Sequence, residues 1–425
     1  MRIIYSFILY LFTPFVVLRL IWLGFRNPDY WDRWAERFGF PDKFTSHDKV
    51  IWVHAVSVGE VQAARPLINN LLQEYSDYKI LITTMTPTGA DCVRQYFGES
   101  VKHFYLPYDL PVSVKRFISI IDPSILLVME TELWPNLFHY CQASNVPVVV
   151  VNARMSENSA CGYRRLSSLT RSTLENISLI IAQGQKDAER LIALGADKEK
   201  VSVTGNLKFD INLPHSVTEQ AQALRRYLSV NRPVWIAAST HEGEEKIILD
   251  AFDKILDKRS QCLLVIVPRH PERSTSVREL CSRRNLKVLC KSDHRECDES
   301  IQVFILDSLG ELPMYYAAAD VAFVGGSLTE VGGHNMLEPA SLGVPVIMGP
   351  YVFNFQEISQ LLLDEDAAWK VNVADELSSR VSCLLDDANL RHSTGERGRN
   401  IVLKNRGNVE KIMKLIRNVF STYAI

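Results

Sequence analysis

Four short stretches combine residue types that could move a proton or hold an anion. "VHAVSVGEVQAARPL" (53–67) places Glu60 at the opening of a helix, directly after an apolar strand. A carboxylate so placed can act as a general base; read alone, Ser57-x-x-Glu60 is a helix capping box. "METELWPNL" (129–137) ends another apolar run with Glu130 and Glu132, suited to a solvated loop or to a site. "GNLKFD" (205–210) offers Lys208, either a cation for the same site or an ordinary surface lysine. In "VIVPRHPER" (265–273), Arg269 follows an apolar strand, where a guanidinium can clamp a phosphate or carboxylate or pair on the surface with Glu272. The positive end of the helix dipole is expected to keep Glu60 ionised and ready to accept a proton at neutral pH.

A fifth stretch, "VGGSLTEVGGHNMLEPASLGVPV" (324–346), carries two glycine pairs and then a helix start. Paired glycines let backbone N–H groups approach an anion, and a helix N-terminus adds partial positive charge. Asn335-x-x-Glu338 also reads as a capping box that needs no ligand. Pro339 suits a first helical turn, so the helix is expected to begin near Asn335. Neither GxxxxGK[ST] nor GxGxxG occurs, which disfavours an ATPase and a dinucleotide dehydrogenase. His139, His270 and His334 stand apart in the sequence and no HExxH occurs, so no protein-built metal site and no cofactor are expected.

The elements that must position these residues follow one pattern. Apolar runs at 50–54, 80–84, 125–130, 147–152, 179–183 and 201–205 alternate with helix-like stretches. The pattern restarts at 233–240, 262–270, 286–290, 303–307, 321–326 and 344–349. Runs rich in Val and Ile that lack alternation suit parallel strands covered on both faces. Two doubly wound, Rossmann-like α/β domains facing a cleft are therefore expected, with ligands beyond the carboxyl ends of the strands. The expected boundaries are an anchor at 1–26, a first domain at 27–210, a linker at 211–230, a second domain at 231–404, and a helix at 405–425 packing back across the domains.

Composition narrows the class. At 425 residues the chain exceeds one hydrophobic core. A net charge of -2 gives no global field for nucleic acid. The eight cysteines show no metal spacing and read as reduced thiols. Residues 3–25 are almost wholly apolar, broken by Pro14 and Arg19, with no small-residue cleavage site after them. This reads as a retained signal-anchor: a transmembrane helix, or a helix in the interface. Arg26, Arg33 and Arg37 beyond it favour a cytoplasmic location for the rest of the chain.

Taken in order, "HAVSVGE", "TTMTPTGA", "YLPYDLP", "METELWPN", "NLKFD", "STHEGEE", "VPRHPER", "DSLGEL", "FVGGSL", "GGHNMLEP" and "GPYVFNF" resemble the 3-deoxy-D-manno-octulosonic acid (Kdo) transferases of lipopolysaccharide assembly, over nearly the whole chain. The resemblance implies the GT-B architecture and an inverting transfer of Kdo from CMP-Kdo to a lipid A precursor, lipid IVA. The location it implies is the cytoplasmic face of the bacterial inner membrane, in contact with membrane lipid. By resemblance, Glu60 is the general base, and Glu130 and Lys208 stabilise the transition state. Pro268 and Arg269, Leu309, Gly310 and Glu311, and Asn335, Met336, Leu337 and Glu338 match the CMP-binding segments. The glycines would then bare the backbone for the nucleotide, and Glu338 would contact the ribose. A membrane-bound transferase using a UDP-sugar and a polyprenyl-linked acceptor, and a nucleotide-binding scaffold, are the alternatives.

Overall fold

The computed structural model of the chain describes residues 1–42, 49–211, 213 and 216–423. By internal packing it divides into two units, Met1–Asp210 with Gly407–Ile425, and Ile211–Arg406.

Among the described residues the first unit holds one sheet of seven parallel strands. They are β1 (Lys49–His54), β2 (Tyr78–Thr84), β3 (Lys102–Tyr105), β4 (Pro123–Met129), β5 (Val148–Ala153), β6 (Leu179–Ala182) and β7 (Val201–Val203), in spatial order β3-β2-β1-β4-β5-β6-β7. Successive residues serve opposite faces. Val50, Trp52, Leu126 and Val128 pack into one cluster, and Ile51, Val53, Leu127 and Met129 into the other. Both faces are covered, which is why these strands read as unbroken apolar runs. The order reverses between β1 and β4, the switch point at which open α/β sheets bind ligands.

The second unit repeats the plan with β8 (Val234–Thr240), β9 (Leu263–Pro268), β10 (Val288–Cys290), β11 (Val303–Ile305), β12 (Val321–Val324), β13 (Val346–Met348) and β14 (Ala368–Lys370). Their order is β10-β11-β9-β8-β12-β13-β14, with the switch point between β8 and β12. The apolar runs anticipated twelve of the fourteen strands among the described residues; β3 and β14, both at sheet edges, were not anticipated.

The segment expected as a linker contains the helix Val217–Tyr227, whose Ala221 and Leu224 join the core of the second unit beside Tyr315 and Tyr316. At the chain's end, the helix Asn408–Tyr423 packs on the first unit. Its Ile412, Met413 and Ile416 are buried with Ile68 and Leu71, Phe420 stacks on Tyr75 with ring centroids 5.0 Å apart, and Arg417 pairs with Glu74. The N-terminal helix Arg2–Arg26 is long and apolar enough to cross a membrane. Pro14 lies inside it, and Thr13 Oγ1 donates to the Leu9 carbonyl at 2.9 Å in the same turn.

Ile416 is wholly buried. Ile416→Ala is expected to cost about 2–5 kcal/mol, the range for emptying a core aliphatic site. Urea unfolding measures it; an unchanged midpoint would mean that this helix is no part of the core.

Candidate active site

The first unit brings Glu60, Glu130 and Glu132 together where the sheet order reverses, whereas Lys208 follows the edge strand β7. β1 runs through Ala55 and Val56 into the helix Val58–Glu74, whose N-cap is Ser57. Glu60, in the first turn, is 8% exposed. Its Oε2 accepts from the Val56 N–H at 2.7 Å, and Ser57 Oγ reaches Oε1 at 3.4 Å. The capping box is not formed as the motif suggested. The Ser57 side chain caps no helical N–H, and Glu60 reaches back one residue beyond the N-cap. At Gly59 an added Cβ would meet only Ser57 Oγ, at 3.9 Å, so the approach to this turn is open.

Glu130 leaves the neighbouring strand β4 in the left-handed region, φ 56°, with its N–H on the Val151 carbonyl at 2.9 Å. Burial, opposed by the Val56 N–H and reinforced by the charges of Glu130 and Glu132, pushes the Glu60 carboxyl up to about 8. This departs from the expected ionised base, because desolvation outweighs the helix dipole. Glu132 is raised as well, by burial and by Glu130.

Lys208 sits in the one-turn helix Leu207–Phe209 beyond β7, and polar side chains fix its backbone. Asn152, at a bulge in β5 with φ 58°, accepts the Leu207 N–H on Oδ1 at 2.9 Å. Gln183 Nε2 donates to the Asn152 carbonyl and Gln183 Oε1 accepts from Asn206 Nδ2. Asn206 Oδ1 then accepts the Lys208 N–H. His54, in the "HAVSVGE" segment, is a core residue. Its Nδ1 lies 3.1 Å from the Thr83 carbonyl, and burial pulls it down to about 4.

In the second unit the glycine-rich loop after β12 is occupied from within. Glu244, at the first position of the helix Glu244–Leu256, is wholly buried. Its Oε1 accepts from the N–H groups of Ser327 (2.9 Å) and Leu328 (2.8 Å), and its Oε2 from those of Gly326 (2.7 Å) and His241 (2.9 Å). The expectation that these glycines bare their N–H groups for a nucleotide is therefore corrected for three of the four: Glu244 holds the N–H of Gly326, the Ala238 carbonyl that of Gly325, and the Gly326 carbonyl that of Gly333. What they allow is close packing. A Cβ on Gly325 would lie 2.6 Å from the Ser239 carbonyl oxygen, and one on Gly326, at φ 66°, would lie 2.8 Å from the His334 ring. Further along, Asn335 Oδ1 accepts the Leu337 N–H at 3.1 Å and Asn335 Nδ2 donates to Glu338 at 3.1 Å. The helix is the short Leu337–Ser341, with Met336 as its N-cap. Among the described residues, the amides of Asn335 and Met336 have no hydrogen-bond partner.

Arg269 follows β9, with its N–H on the Thr240 carbonyl at 3.0 Å. Among the described residues its guanidinium makes no ion pair, with Glu272 or any other acid. The cation that is engaged in this segment is Arg273, which binds the buried Glu245. Beside Arg269 the fold assembles three histidines that stand apart in sequence. His241 stacks on His334 with ring centroids 5.0 Å apart and Nε2 atoms 2.8 Å apart, and His270 lies edge-on to His241. Burial, then the charge of Arg269, pulls His334 down to about 3, so both stacked rings are neutral hydrogen-bonding groups next to a cation.

The remaining candidates differ in availability. Leu309 is exposed, Gly310 has open space where a Cβ would be, and Glu311 pairs with Lys291. Met336 and Leu337 are wholly buried, and Pro268 is buried at the end of β9, so the side chains of these three are turned from solvent. Sequence reasoning missed His241 and Glu244. The signal for Glu244 was present: an acidic residue opening a helix immediately after a buried strand.

Residues 32–211 match the family model described as 3-Deoxy-D-manno-octulosonic-acid transferase (kdotransferase), and residues 236–401 that of Glycosyl transferases group 1. The chain is 41% identical over 418 residues to the 3-deoxy-D-manno-octulosonic acid transferase of Haemophilus influenzae, covering 98% of each. With the enzyme of the same description from Bordetella pertussis it shares 36% over 327 residues, 75% of each chain. The chain belongs to the 3-deoxy-D-manno-octulosonic acid transferases. These are glycosyltransferases, and the architecture agrees. A UDP-GlcNAc 2-epimerase from Neisseria meningitidis superposes with a TM-score of 0.58 at 16% identity over 87% of this chain and all of its own. That likeness is one of fold alone, the GT-B arrangement of two Rossmann-like sheets.

For a Kdo transferase, a carboxyl protonated near neutrality has a measurable cost. In the unfolded chain Glu60 ionises near its ordinary 4.5; folded, it holds its proton to about 8. The folded state thus binds the extra proton between these values, and stability falls as pH rises through that window. Glu60→Gln is expected to melt like the parent near pH 4 and to be more stable than it near pH 8, by on the order of a few kcal/mol. Thermal melts of both proteins across this range measure the difference; parallel curves would contradict the assignment.

Proposed function

We propose that this Kdo transferase moves 3-deoxy-D-manno-octulosonic acid from CMP-Kdo to a lipid A precursor, lipid IVA, in lipopolysaccharide assembly, with inversion at the anomeric carbon. The observation that carries the reading is Glu60: a buried carboxyl at the switch point of the first sheet, beside Glu130 and open at Gly59, in a chain whose family is defined by transfer of this sugar. The acceptor hydroxyl gives its proton to Glu60 while its oxygen attacks the anomeric carbon. The bond from that carbon to the CMP phosphate oxygen breaks, and CMP leaves with the electron pair. Positive charge develops on the sugar, as in glycoside hydrolysis. Glu130 stabilises that charge, and Lys208 holds the Kdo carboxylate.

On the donor side, Arg269 and the free amides of Asn335 and Met336 receive the phosphate as its charge grows. The neutral His241 and His334 offer hydrogen bonds beside it. Glu338, oriented by Asn335, contacts the ribose. Pro268 and the segment Leu309, Gly310 and Glu311 complete the nucleotide site through backbone and exposed surface. The N-terminal helix anchors the enzyme at the cytoplasmic face of the inner membrane, where an amphiphilic acceptor is met.

An assay with CMP-Kdo and lipid IVA, products resolved by mass, tests the reading, with a UDP-sugar as the competing donor. Because the free carboxyl is held to about 8, kcat/KM is expected to climb about tenfold per pH unit below that value. Glu60→Gln should still bind CMP yet lose roughly two to four decades of turnover. Turnover within a few-fold of the parent would leave Glu60 a structural residue. Arg269→Ala is expected to weaken CMP binding by about 1–3 kcal/mol, the worth of a charge-assisted contact. Calorimetry giving parental affinity would remove Arg269 from the site.

A further inference from the structure

We propose that the helix Arg2–Arg26 lies in the plane of an anionic membrane surface, clamped at both ends to the first unit, and does not cross the bilayer. The proposal rests on the membrane attachment inferred above and decides its geometry.

The first clamp is polar and buried. Tyr5 OH donates to Asp109 Oδ2 at 3.0 Å, and Ser6 Oγ and Arg2 Nη1 donate to Asn136 Oδ1 at 3.0 and 3.1 Å. Asp109 and Asn136 are 5% and 0% exposed. They are locked to one another, since the N–H groups of Asn136 and Leu137 donate to the Asp109 carboxyl and Asn136 Nδ2 donates to the Asp109 carbonyl. The second clamp follows the helix. The Trp31 ring fills the space beside Gly24, its indole N–H donates to the Ile21 carbonyl at 3.3 Å, and its ring meets Phe25 edge-on. Immediately beyond, Arg33 and Glu36 bind the backbone of His103 and Tyr105 in β3. Both ends of the helix are thus fastened to one body.

A spanning orientation is incompatible with that arrangement. Twenty-five residues extend about 37 Å, enough to cross an apolar layer of about 30 Å. Crossing it would carry Arg2, Tyr5 and Ser6 to the far side, away from Asp109 and Asn136, and leave two buried polar groups without these partners.

The side chains sort in the same way. Ser6, Leu20 and Gly24 are buried, and Arg2, Leu9, Thr13 and Val16 are part-buried, all at spacings of three or four along one stripe. On another face, at the same spacings, Ile3, Phe7, Leu11, Phe15, Leu18 and Trp22 are between 51% and 78% exposed. Basic groups border the apolar face. Arg19 and Arg26 are exposed, Arg26 lies over Trp22, and Lys115 shares the Tyr140 ring with Arg2. An apolar face flanked by cations fits acyl chains below anionic headgroups. In a spanning helix Arg19 would instead sit in hydrocarbon.

The test uses the full chain in native membranes, with one protease-cleavable tag ahead of Met1 and another after Ile425. In spheroplasts both tags should resist added protease, and in inverted vesicles both should be cut. Membrane-bound protein whose tags lie on opposite faces would overturn the in-plane geometry and leave the attachment intact. Protein absent from the membrane fraction would overturn both. Independently, binding of the purified protein to phosphatidylglycerol-containing vesicles should fall roughly thirtyfold in the double variant Arg19→Gln, Arg26→Gln. Binding to phosphatidylcholine vesicles should change little, and equal losses on both would overturn the anionic specificity.

Discussion

Each strand in both sheets runs parallel to its neighbours, so each needs a crossover, and all the carboxyl ends of a sheet open along one edge. Residues far apart in sequence therefore arrive at the same edge. Glu60 and Glu130 leave adjacent strands β1 and β4, although seventy positions separate them. His241 and His334 leave the region of β8 and β12 and end ring on ring. With both faces of each sheet buried, little but the edge remains for polar chemistry.

Two buried glutamates show how that edge assigns roles. Glu244 takes four backbone N–H donors, two on each oxygen, and becomes the brace of the glycine loop. Glu60 takes one backbone N–H and faces two other carboxyl groups, so burial dominates and its proton is held to about 8. Each stands in the first turn of a helix that follows the opening strand of its sheet. The number of backbone donors, four against one, and not the position on the helix, distinguishes the two carboxyl groups.

This difference explains what could be read from the chain. Strand and helix alternation was legible because it is written in local hydrophobicity. β3 (KHFY) and β14 (AWK) escaped because neither contains a valine, isoleucine or threonine. The motif residues were legible as types at strand ends, and the family resemblance supplied the roles proposed for them. The occupant of the glycine loop was not, because Glu244 lies 82 positions from Gly326 and nothing local joins them. Nor could spacing reveal that Met336 and Leu337 turn inward, whereas Arg269 stays free of the surface pair proposed for it.

The helix Asn408–Tyr423 completes the core of a unit whose other residues end at Asp210. On the ribosome, that core stays open at Leu67, Ile68 and Leu71 while the whole second unit is made. This delay is roughly 200 residues, on the order of 10–40 s at bacterial elongation rates. The second unit, contiguous from Ile211 to Arg406, can finish folding first, reversing the usual N-terminal-first order. Until the last helix docks, the nascent chain shows an apolar groove as well as the apolar face of its first 26 residues. Early engagement with a lipid surface or a chaperone would shield both.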